Sequence, residues 1–476
     1  MNLKLLLLIL GPVAFVLMLC LPAPSLFTPE AWRVMAMTTW MLIWWISEAT
    51  SLAVTALIPM ICLPMLRVPG LNLEAAAVPY GDPIVFLFMG GFMIALAMEK
   101  WGLHRRIALN IVRLTGTDAN GIILGFMLAT AFMSMWISNT ATTVMMLPIA
   151  LSVINLLTEN NSDYSPVQTR NFALCMMLGI AYAATLGGMA TLVGTPPNLV
   201  FTGYMQKTFG YEVSFAKWMI FSFPIALFLI LFGYFLMVKL LFPNRLGKFH
   251  NAAEVIENEV ASLGKMSQGE RRTLIIFILT ALFWMFRAFI SKILPGISDT
   301  GIALMAAISL FVIPMNREGL TALEWRDTEK LPWGILLLFG GGLSLANGLE
   351  TTGIINIVGQ QFAGDGGYGF WVMVALAAVT VFISEAMSNV ALVTILLPVV
   401  GGVAVAAGIN PIVLCIPVTL AASCGFMLPM ATPPNAIAFA SGHLRIADMV
   451  KAGWWLDLAS IFVVALAAKL LLPLIF

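Results

Sequence analysis

Apolar stretches long enough to cross a lipid bilayer recur along the whole chain. A membrane-spanning helix needs about 20 apolar residues, and such stretches lie at 4–21, 33–66, 121–157, 171–193, 215–242, 273–294, 298–315, 369–408, 411–430 and 454–475. Because some of them are long enough for two crossings, they predict roughly 11 spans. The composition agrees, since 61% of the residues are hydrophobic and the mean hydropathy is +0.98. The sequence therefore predicts an all-α polytopic membrane protein.

Charge and reactive side chains exclude several classes of protein. The net charge of +1 offers no basic face for nucleic acid. The five cysteines lie in apolar runs without the spacing of metal ligands, which favours buried, inert thiols. The three histidines are scattered, which is too little for a metal centre. No nucleophile and base pair is apparent at membrane depth, so we predict that the protein is not an enzyme.

The orientation follows from the basic residues. The N-terminal run "MNLKLLLLILGPVAFVLMLC" could be a signal peptide, but its length and the large residues before Cys20 favour a first span. Basic residues gather in "EKWGLHRRIALNIVR" (99–113) and in the polar segment 243–272. By the positive-inside rule these segments face the cytoplasm. We predict a multi-pass protein of the cell membrane with the N-terminus and the 243–272 segment cytoplasmic.

Three motifs occur twice in the same order, about 240 to 250 residues apart. The pairs are "FLFMGGFMIALAMEKWGL" (86–103) with "LLFGGGLSLANGLETTGI" (337–354), "SNTATTVMMLP" (138–148) with "SNVALVTILLP" (388–398), and "GTPPN" (194–198) with "ATPPN" (431–435). We interpret the chain as an internal duplication, with one membrane half at 1–242, a cytoplasmic linker at 243–272 and a second half at 273–476. An odd number of crossings in the first half would insert the second upside down, a common design of transporters.

Polar residues interrupt the apolar pattern in each Ser-Asn motif. Ser, Asn and Thr are preferred at helix N-termini, so "SMWISNTATTV" (134–144) predicts a broken membrane helix. Such a break is tolerated only inside protein or beside a polar cavity. The new helix N-terminus can bind an anion, and oxygens around the break suit Na⁺. Alternatively, the hydroxyls bond to their own helix and the Asn joins two helices; the second copy favours a site.

Two further motifs suggest irregular backbone. Each Thr-Pro-Pro-Asn segment disfavours continuous helix, and Thr195, Asn198, Thr432 and Asn435 would place oxygens around the turn. The glycine-rich segments "FLFMGGF" and "LLFGGGL" look shorter than spans and suggest re-entrant hairpins. The alternative for them is close packing of continuous helices.

The motif set resembles the divalent anion/sodium symporter family, the dicarboxylate and citrate carriers that include the INDY proteins. The resemblance rests on "SNT" and "SNV", the two "TPPN" motifs, "FLFMGGF…EKWGLHRR", "LPWGILLLFGGGL" and "ISEATSLAVTALIP" (46–59), and it covers nearly the whole chain. It implies a homodimer with 11 spans per protomer. It also implies two inverted repeats, each with a re-entrant hairpin and a broken helix, and a transport part that slides against a scaffold as an elevator.

The resemblance also implies site residues. It places the substrate carboxylates against Ser138, Asn139, Thr140, Ser388 and Asn389, and we include Val390 and the turn residues Thr195, Pro196, Thr432 and Pro433. One sodium site would use Ser134, Ser138, Asn139 and Gly194, and the second Ser384, Asn389 and Ala431. Val390 departs from the family pattern because it lacks the hydroxyl of the threonine expected there.

The resulting hypothesis is a sodium-coupled symporter of a dicarboxylate of the succinate, malate or fumarate class. No Arg or Lys lies in either motif, so helix dipoles and bound sodium must neutralise a dianion, which couples the two ligands. A dicarboxylate exchanger, a citrate or sulfate carrier and an oxyanion efflux pump remain alternatives. A channel is disfavoured because rings of charge are absent.

Acidic residues in or near apolar segments are a separate group of candidates. They are Glu48, Asp82, Glu99, Glu350 and Glu385. Glu385 lies about one helical turn before Asn389 and could relay a proton. Glu48, Asp82 and Glu99 are better explained as groups that satisfy backbone at helix ends.

Overall fold

A computed structural model describes residues 3–116, 118–159, 165–246, 250–315, 319–355, 357 and 369–476, and these form helices joined by short connections. In the first part of the chain the α-helices are α1 Leu3–Cys20, α2 Pro29–Ser47, α3 Leu52–Thr55, α4 Ile58–Met65, α5 Leu73–Ala77, α6 Pro83–Lys100, α7 Leu103–Leu114, α8 Ala119–Ser134, α9 Asn139–Glu159, α10 Pro166–Met189, α11 Pro196–Phe209 and α12 Phe215–Phe235. The remaining α-helices are α13 His250–Ser262, α14 Gln268–Met285, α15 Arg287–Ile290, α16 Asp299–Val312, α17 Trp333–Thr351, α18 Phe370–Ser384, α19 Asn389–Ala406, α20 Ile412–Ala422, α21 Pro433–Ala440 and α22 Ile446–Ile475. No strand is present among the described residues, so the all-α prediction is confirmed.

Five helical stretches are long and apolar enough to cross a membrane by length and composition. They are Leu73–Lys100, Pro166–Met189, Phe215–Leu241, Asn389–Ala406 and Ile446–Ile475. Helix Pro166–Met189 is buried inside the protein from Phe172 onward, whereas Ile446–Ile475 exposes large apolar side chains such as Leu470 and Leu474. An exposed apolar stripe on a long helix is typical of a surface that faces lipid. Seven shorter apolar helices complete the apolar part of the fold.

Local signals explain where several helices begin. Ser165 and Ser267 each form a capping box, in which the hydroxyl accepts from the backbone three residues on. Asp82 accepts a hydrogen bond from the N–H of Ile84 at the start of α6, which confirms its predicted role at a helix end. Glu48 lies at the C-terminus of α2 in a left-handed backbone conformation, and the predicted role of its carboxylate in satisfying backbone groups there stays a prediction.

Contacts with the segment 242–246 define one end of the helices, which we name the linker face. Asn120 at the start of α8 accepts a hydrogen bond from Asn244, and Gln168 near the start of α10 donates to the carbonyl of Arg245. Arg170 forms an ion pair with Asp448 at the start of α22, which places that helix start at the same face. Residues 247–249 of the predicted linker lie outside the described residues.

The far end of α22 marks the opposite face. The C-terminal carbonyl of Phe476 accepts a hydrogen bond from the Tyr211 hydroxyl, which lies between α11 and α12. The ammonium of Lys469, near the end of α22, lies 5.5 Å from the ring centroid of Phe370 at the start of α18. Helix α22 and the pair α10–α11 therefore run from the linker face to the opposite face, while α18 begins at the opposite face.

The predicted breaks are present at all four polar motifs. Helix α8 ends at Ser134 and α9 begins at Asn139; α18 ends at Ser384 and α19 begins at Asn389. The Thr-Pro-Pro-Asn segments open α11 at Pro196 and α21 at Pro433. Six residues, 160–165, join α9 to the start of α10 at the linker face, so α9 returns to the face where α8 begins. Helices α8 and α9 thus form a hairpin with its tip at the Ser-Asn motif, where the sequence predicted a broken helix.

The prediction of hairpins at the glycine-rich segments is wrong. Both segments lie inside continuous helices, α6 and α17. A Cβ on Gly90 would lie 2.8 Å from the backbone of Ala303, and one on Gly341 would lie 2.1 Å from the carbonyl oxygen of Ala56. These glycines therefore allow neighbouring backbones to approach closely, which was the alternative interpretation.

Candidate functional site

The first break brings three oxygen atoms together. The hydroxyl oxygen of Ser134 lies 2.6 Å from the amide oxygen of Asn139 and 2.6 Å from the carbonyl oxygen of Ala184. A hydroxyl has one hydrogen, so it can donate to only one of these two acceptors. Ser134 is fully buried. A buried cluster with more oxygen acceptors than hydrogens suits a cation such as Na⁺.

Two glycines of α10 and its following turn allow this cluster to form. A Cβ on Gly188 would lie 2.3 Å from the amide oxygen of Asn139. A Cβ on Gly194 would lie 2.4 Å from the carbonyl oxygen of Gly188. Any larger side chain at either position would displace Asn139 or the turn. Gly194, predicted from the resemblance, therefore packs on Gly188, which in turn packs on Asn139. Gly188 and Ala184 were not predicted.

Side-chain hydrogen bonds fix the turn between α10 and α11. Thr191 donates its hydroxyl to the carbonyl of Met135 and accepts from the N–H of Gly194, at 2.5 and 3.1 Å. The amide of Asn198 donates to the carbonyl of Thr191 at 2.7 Å. Its own oxygen is buried and receives no hydrogen bond from the described residues. These hydrogen bonds hold the segment between α8 and α9 together with the turn between α10 and α11. The amide oxygen of Asn198 lies inside this unit as an acceptor without a donor in the described structure.

The predicted substrate residues differ in exposure. Ser138 and Thr140 are exposed and Asn139 is half-buried at the start of α9, where Ser138 accepts a hydrogen bond from the N–H of Ala141. In the second motif Ser388, Asn389 and Val390 are all half-buried. Side chains at both helix starts are therefore accessible to a small ligand, and a helix start carries free N–H groups that favour an anion.

The predicted turn residues are less accessible. Thr195, Thr432 and Ala431 are buried, whereas Pro196 is half-buried and Pro433 is exposed. Thr432 precedes the first residue of α21, and its hydroxyl accepts a hydrogen bond from the N–H of Asn435 in the first turn of that helix. The Thr432 side chain therefore stabilises the start of α21, whereas the Thr195 side chain makes no capping hydrogen bond at the start of α11. Contact of either threonine with a substrate stays a prediction.

The second break is built around a carboxylate. Both oxygens of Glu385 accept backbone hydrogen bonds, from the N–H groups of Met427 and Leu428, each at 2.8 Å. The amide of Asn435 donates to the carbonyls of Gly425 and Leu428, at 3.2 and 3.1 Å. Glu385 therefore holds the turn between α20 and α21 in place. Its predicted role as a proton relay stays a prediction.

Both breaks contain buried amide oxygens that receive no hydrogen bond within the described part of the chain, but the serine hydroxyl donates to a different group in each break. The amide oxygens of Asn435 and Asn389 are buried without a hydrogen bond from the described residues, as is that of Asn198. The hydroxyl of Ser384, however, donates to the carbonyl of Val381 and not to the asparagine that follows it. Buried acceptors without donors are costly in a protein interior. A bound cation would satisfy them.

The two halves of the chain meet at these helices. Helix α11 of the first half packs against α19 of the second, and α21 of the second half packs against α9 of the first. None of the ion pairs among the described residues includes a residue of the four motifs. The polar breaks thus lie on helices that contact each other between the two predicted halves of the chain, and in the described structure no basic side chain forms an ion pair within the motifs.

Comparison with known proteins places this geometry in a family of transporters. The chain is 40% identical over 473 residues to a protein named sodium-dependent dicarboxylate transporter SdcS from Staphylococcus saprophyticus, covering 98% of this chain and 91% of the relative. It is 37% identical over 477 residues to the protein of the same name from Staphylococcus aureus strain USA300, with the same coverage.

Two solved structures share the fold at low sequence identity. One is the MtrF protein of Neisseria gonorrhoeae, described with a class of antimetabolite efflux pumps, at 13% identity and a TM-score of 0.55 over 98% of this chain and 94% of that one. The other is the YdaH transporter of Alcanivorax borkumensis, at 13% identity and a TM-score of 0.53 over 99% and 97%. The family model described as the sodium:sulfate symporter transmembrane region matches residues 2–476. The chain therefore belongs to the sodium:sulfate symporter family of membrane transporters.

Proposed function

We propose that this protein is a sodium-coupled symporter of a dicarboxylate of the succinate, malate or fumarate class. The observation that carries the proposal is the pair of breaks with buried oxygen acceptors and no paired basic side chain. Such a site can hold a dianion only when cations bind beside it. The relatives named sodium-dependent dicarboxylate transporters support both ligands.

In this proposal the helix starts bind the substrate and the surrounding oxygens bind sodium. Free N–H groups at the starts of α9 and α19 would receive the two carboxylates, together with Ser138, Asn139 and Thr140 from one half and Ser388 and Asn389 from the other. Sodium would bind first, within the clusters that contain Ser134 and Ser384. Its charge then lowers the free energy of the dianion, so each ligand strengthens the binding of the other.

We also propose that the two halves are inverted repeats that work as an elevator in a homodimer. The directions of the helices support the inversion. Helix α8 begins at the linker face and α18 at the opposite face; likewise, α10–α11 leaves the linker face, while α20–α21 leads to the start of α22 at that face. The cell membrane, with the linker face cytoplasmic, is the location that the basic residues of this face favour.

A second candidate is a carrier of sulfate or citrate on the same site. The family description names sulfate, and a tetrahedral dianion could use the same helix N-termini. Dicarboxylate exchange without net sodium movement is a third possibility for the same geometry. The relatives favour the dicarboxylate symporter.

The proposal is tested by uptake of radiolabelled succinate into proteoliposomes that contain the purified protein. An inward sodium gradient should drive uptake, an equal potassium gradient should not, and unlabelled malate or fumarate should compete. Uptake that is equal in both gradients and needs internal dicarboxylate would refute the symporter in favour of the exchanger. Absence of succinate uptake, with sodium-driven uptake of labelled sulfate or citrate, would refute the substrate class.

A further inference from the structure

A second carboxylate lies buried beside the second break. Asp457 occupies the middle of α22 and is fully buried. Neither of its carboxylate oxygens receives a hydrogen bond from the described residues, and no ion pair among them includes it. An isolated carboxylate inside a membrane protein is costly, so its presence usually marks a function.

The carboxyl group of Asp457 faces two parts of the break. It lies beside the carboxyl group of Glu385 and beside the backbone of Phe426. Close packing of α22 on the turn holds it there, since a Cβ on Gly453, one helical turn earlier, would lie 2.4 Å from the carbonyl oxygen of Phe426. The hydroxyl of Tyr182 on α10 donates to that same carbonyl at 2.9 Å. The position of Asp457 is therefore set from several sides.

The two carboxyl groups have unequal partners. Glu385 accepts two backbone N–H bonds, which offset its charge, while Asp457 accepts none from the described residues. Around them lie Tyr182, Cys424 and Ser460, none of which carries a positive charge. The cluster therefore has two carboxyl groups without a cationic partner among the described residues and more oxygen acceptors than donors, which are the features that attract Na⁺.

The first break has no counterpart of this cluster. The residue that follows Ser134 is Met135, at the position that Glu385 has after Ser384. Helix α22, which supplies Asp457, contributes no residue to either of the two sodium sites predicted above. An acidic pair in only one of two otherwise similar breaks is an addition to the duplicated design, and it makes the two breaks electrostatically unequal.

We propose that Asp457 and Glu385, with the backbone near Phe426, bind a further sodium ion, separate from the two sodium sites predicted at the breaks. This proposal rests on the sodium-coupled symport proposed above. Three sodium ions would then accompany one dianion, and each cycle would move one net positive charge. Transport would accordingly be stimulated by an inside-negative membrane potential.

The test is the coupling ratio in proteoliposomes, measured for the unmodified protein, Asp457→Asn and the control Asp448→Asn. The control makes the same change at the start of the same helix, in a residue paired with Arg170 at the linker face. The limiting accumulation of succinate is recorded with an about tenfold sodium gradient and the membrane potential held at zero. Under these conditions accumulation changes about tenfold for each sodium ion coupled.

We expect Asp457→Asn to remain sodium-driven, to accumulate about tenfold less succinate and to lose its stimulation by potential, while Asp448→Asn behaves like the unmodified protein. An unchanged coupling ratio in folded Asp457→Asn, or proton uptake with succinate that this variant loses, would overturn the proposal. Should the variant fail to fold, the unmodified protein decides, because a ratio of two sodium ions or fewer excludes the extra ion. Absence of sodium-driven uptake by the unmodified protein would instead refute the symport itself.

Discussion

Replacement of Gly188 by alanine directly tests the sodium site that we propose at the first break. The added methyl carbon would lie 2.3 Å from the amide oxygen of Asn139 and 3.0 Å from its amide carbon. Ordinary contact requires about 3.5 Å, so Asn139 must move by about 1 Å or the helices must separate. Overpacking of this kind costs about 1–3 kcal/mol. A cation site tolerates such a shift poorly, because its ligands must stay within a few tenths of an ångström.

We therefore expect Gly188→Ala to raise the sodium concentration for half-maximal succinate uptake by about tenfold or more, which corresponds to about 1.4 kcal/mol. Sodium should also stabilise the unmodified protein against thermal unfolding and stabilise the variant much less. The matched control is Gly179→Ala on the same helix, where the new methyl would meet the flexible side chain of Met127, with Cγ at 2.9 Å and Sδ at 3.1 Å. A sodium dependence of Gly188→Ala that equals that of the control would refute the assignment of this cluster to sodium.

Three other predictions concern the substrate site and the linker face. Asn139→Ala and Asn389→Ala should each abolish sodium-coupled uptake at normal expression, and normal uptake by either variant would remove that residue from the site. Val390→Thr should change the order in which dicarboxylates compete for uptake without loss of fold; an unaltered competition profile would mean that position 390 does not face the substrate. Lys100 lies next to Trp101, which packs on Gly269 of the 243–272 segment. Burial tends to raise the pKa of Asp327, but the hydrogen bond from Lys100, at 2.6 Å, holds that pKa below its usual value. The pair thus adds stability above the unfolded pKa of about 4, and this stability is lost as the pH falls through the lower folded pKa. Lys100→Met should reduce the loss of thermal stability on acidification, and an identical pH profile would refute this contribution.

The breaks were predictable from sequence because their signals are local. Polar N-terminal residues inside an apolar run and paired prolines act within a few residues, and α9, α19, α11 and α21 begin at the positions that they predict. The hairpin was predicted at the wrong segment because its signal is not local. A glycine run permits either a turn or close helix packing, and the choice depends on neighbours such as Ala303 and Ala56, which are distant in sequence.

Residues that complete the clusters were also beyond sequence reasoning. Gly188 takes part because it has no Cβ, and Ala184 through its backbone carbonyl. Thr191 takes part through a hydroxyl that donates a hydrogen bond to the carbonyl of Met135. Asp457 lies in a long apolar helix some 70 residues after Glu385, and only the packing of α22 on the turn brings the two together. Contacts of this kind depend on tertiary structure, and no local pattern records them.

The absence of a basic side chain from the proposed site affects how transport is controlled. An arginine in the site would bind a dianion whether or not sodium was present, whereas neutral oxygens and helix ends bind it weakly until a cation supplies charge. In the proposed site the coupling free energy would therefore come from the absence of a basic side chain, and couplings of about 1–3 kcal/mol correspond to about 5- to 150-fold changes in affinity. By linkage, the dianion must strengthen sodium binding by the same factor. A sodium affinity that is unchanged by saturating succinate would thus contradict the arrangement of the breaks, whatever the identity of the transported anion.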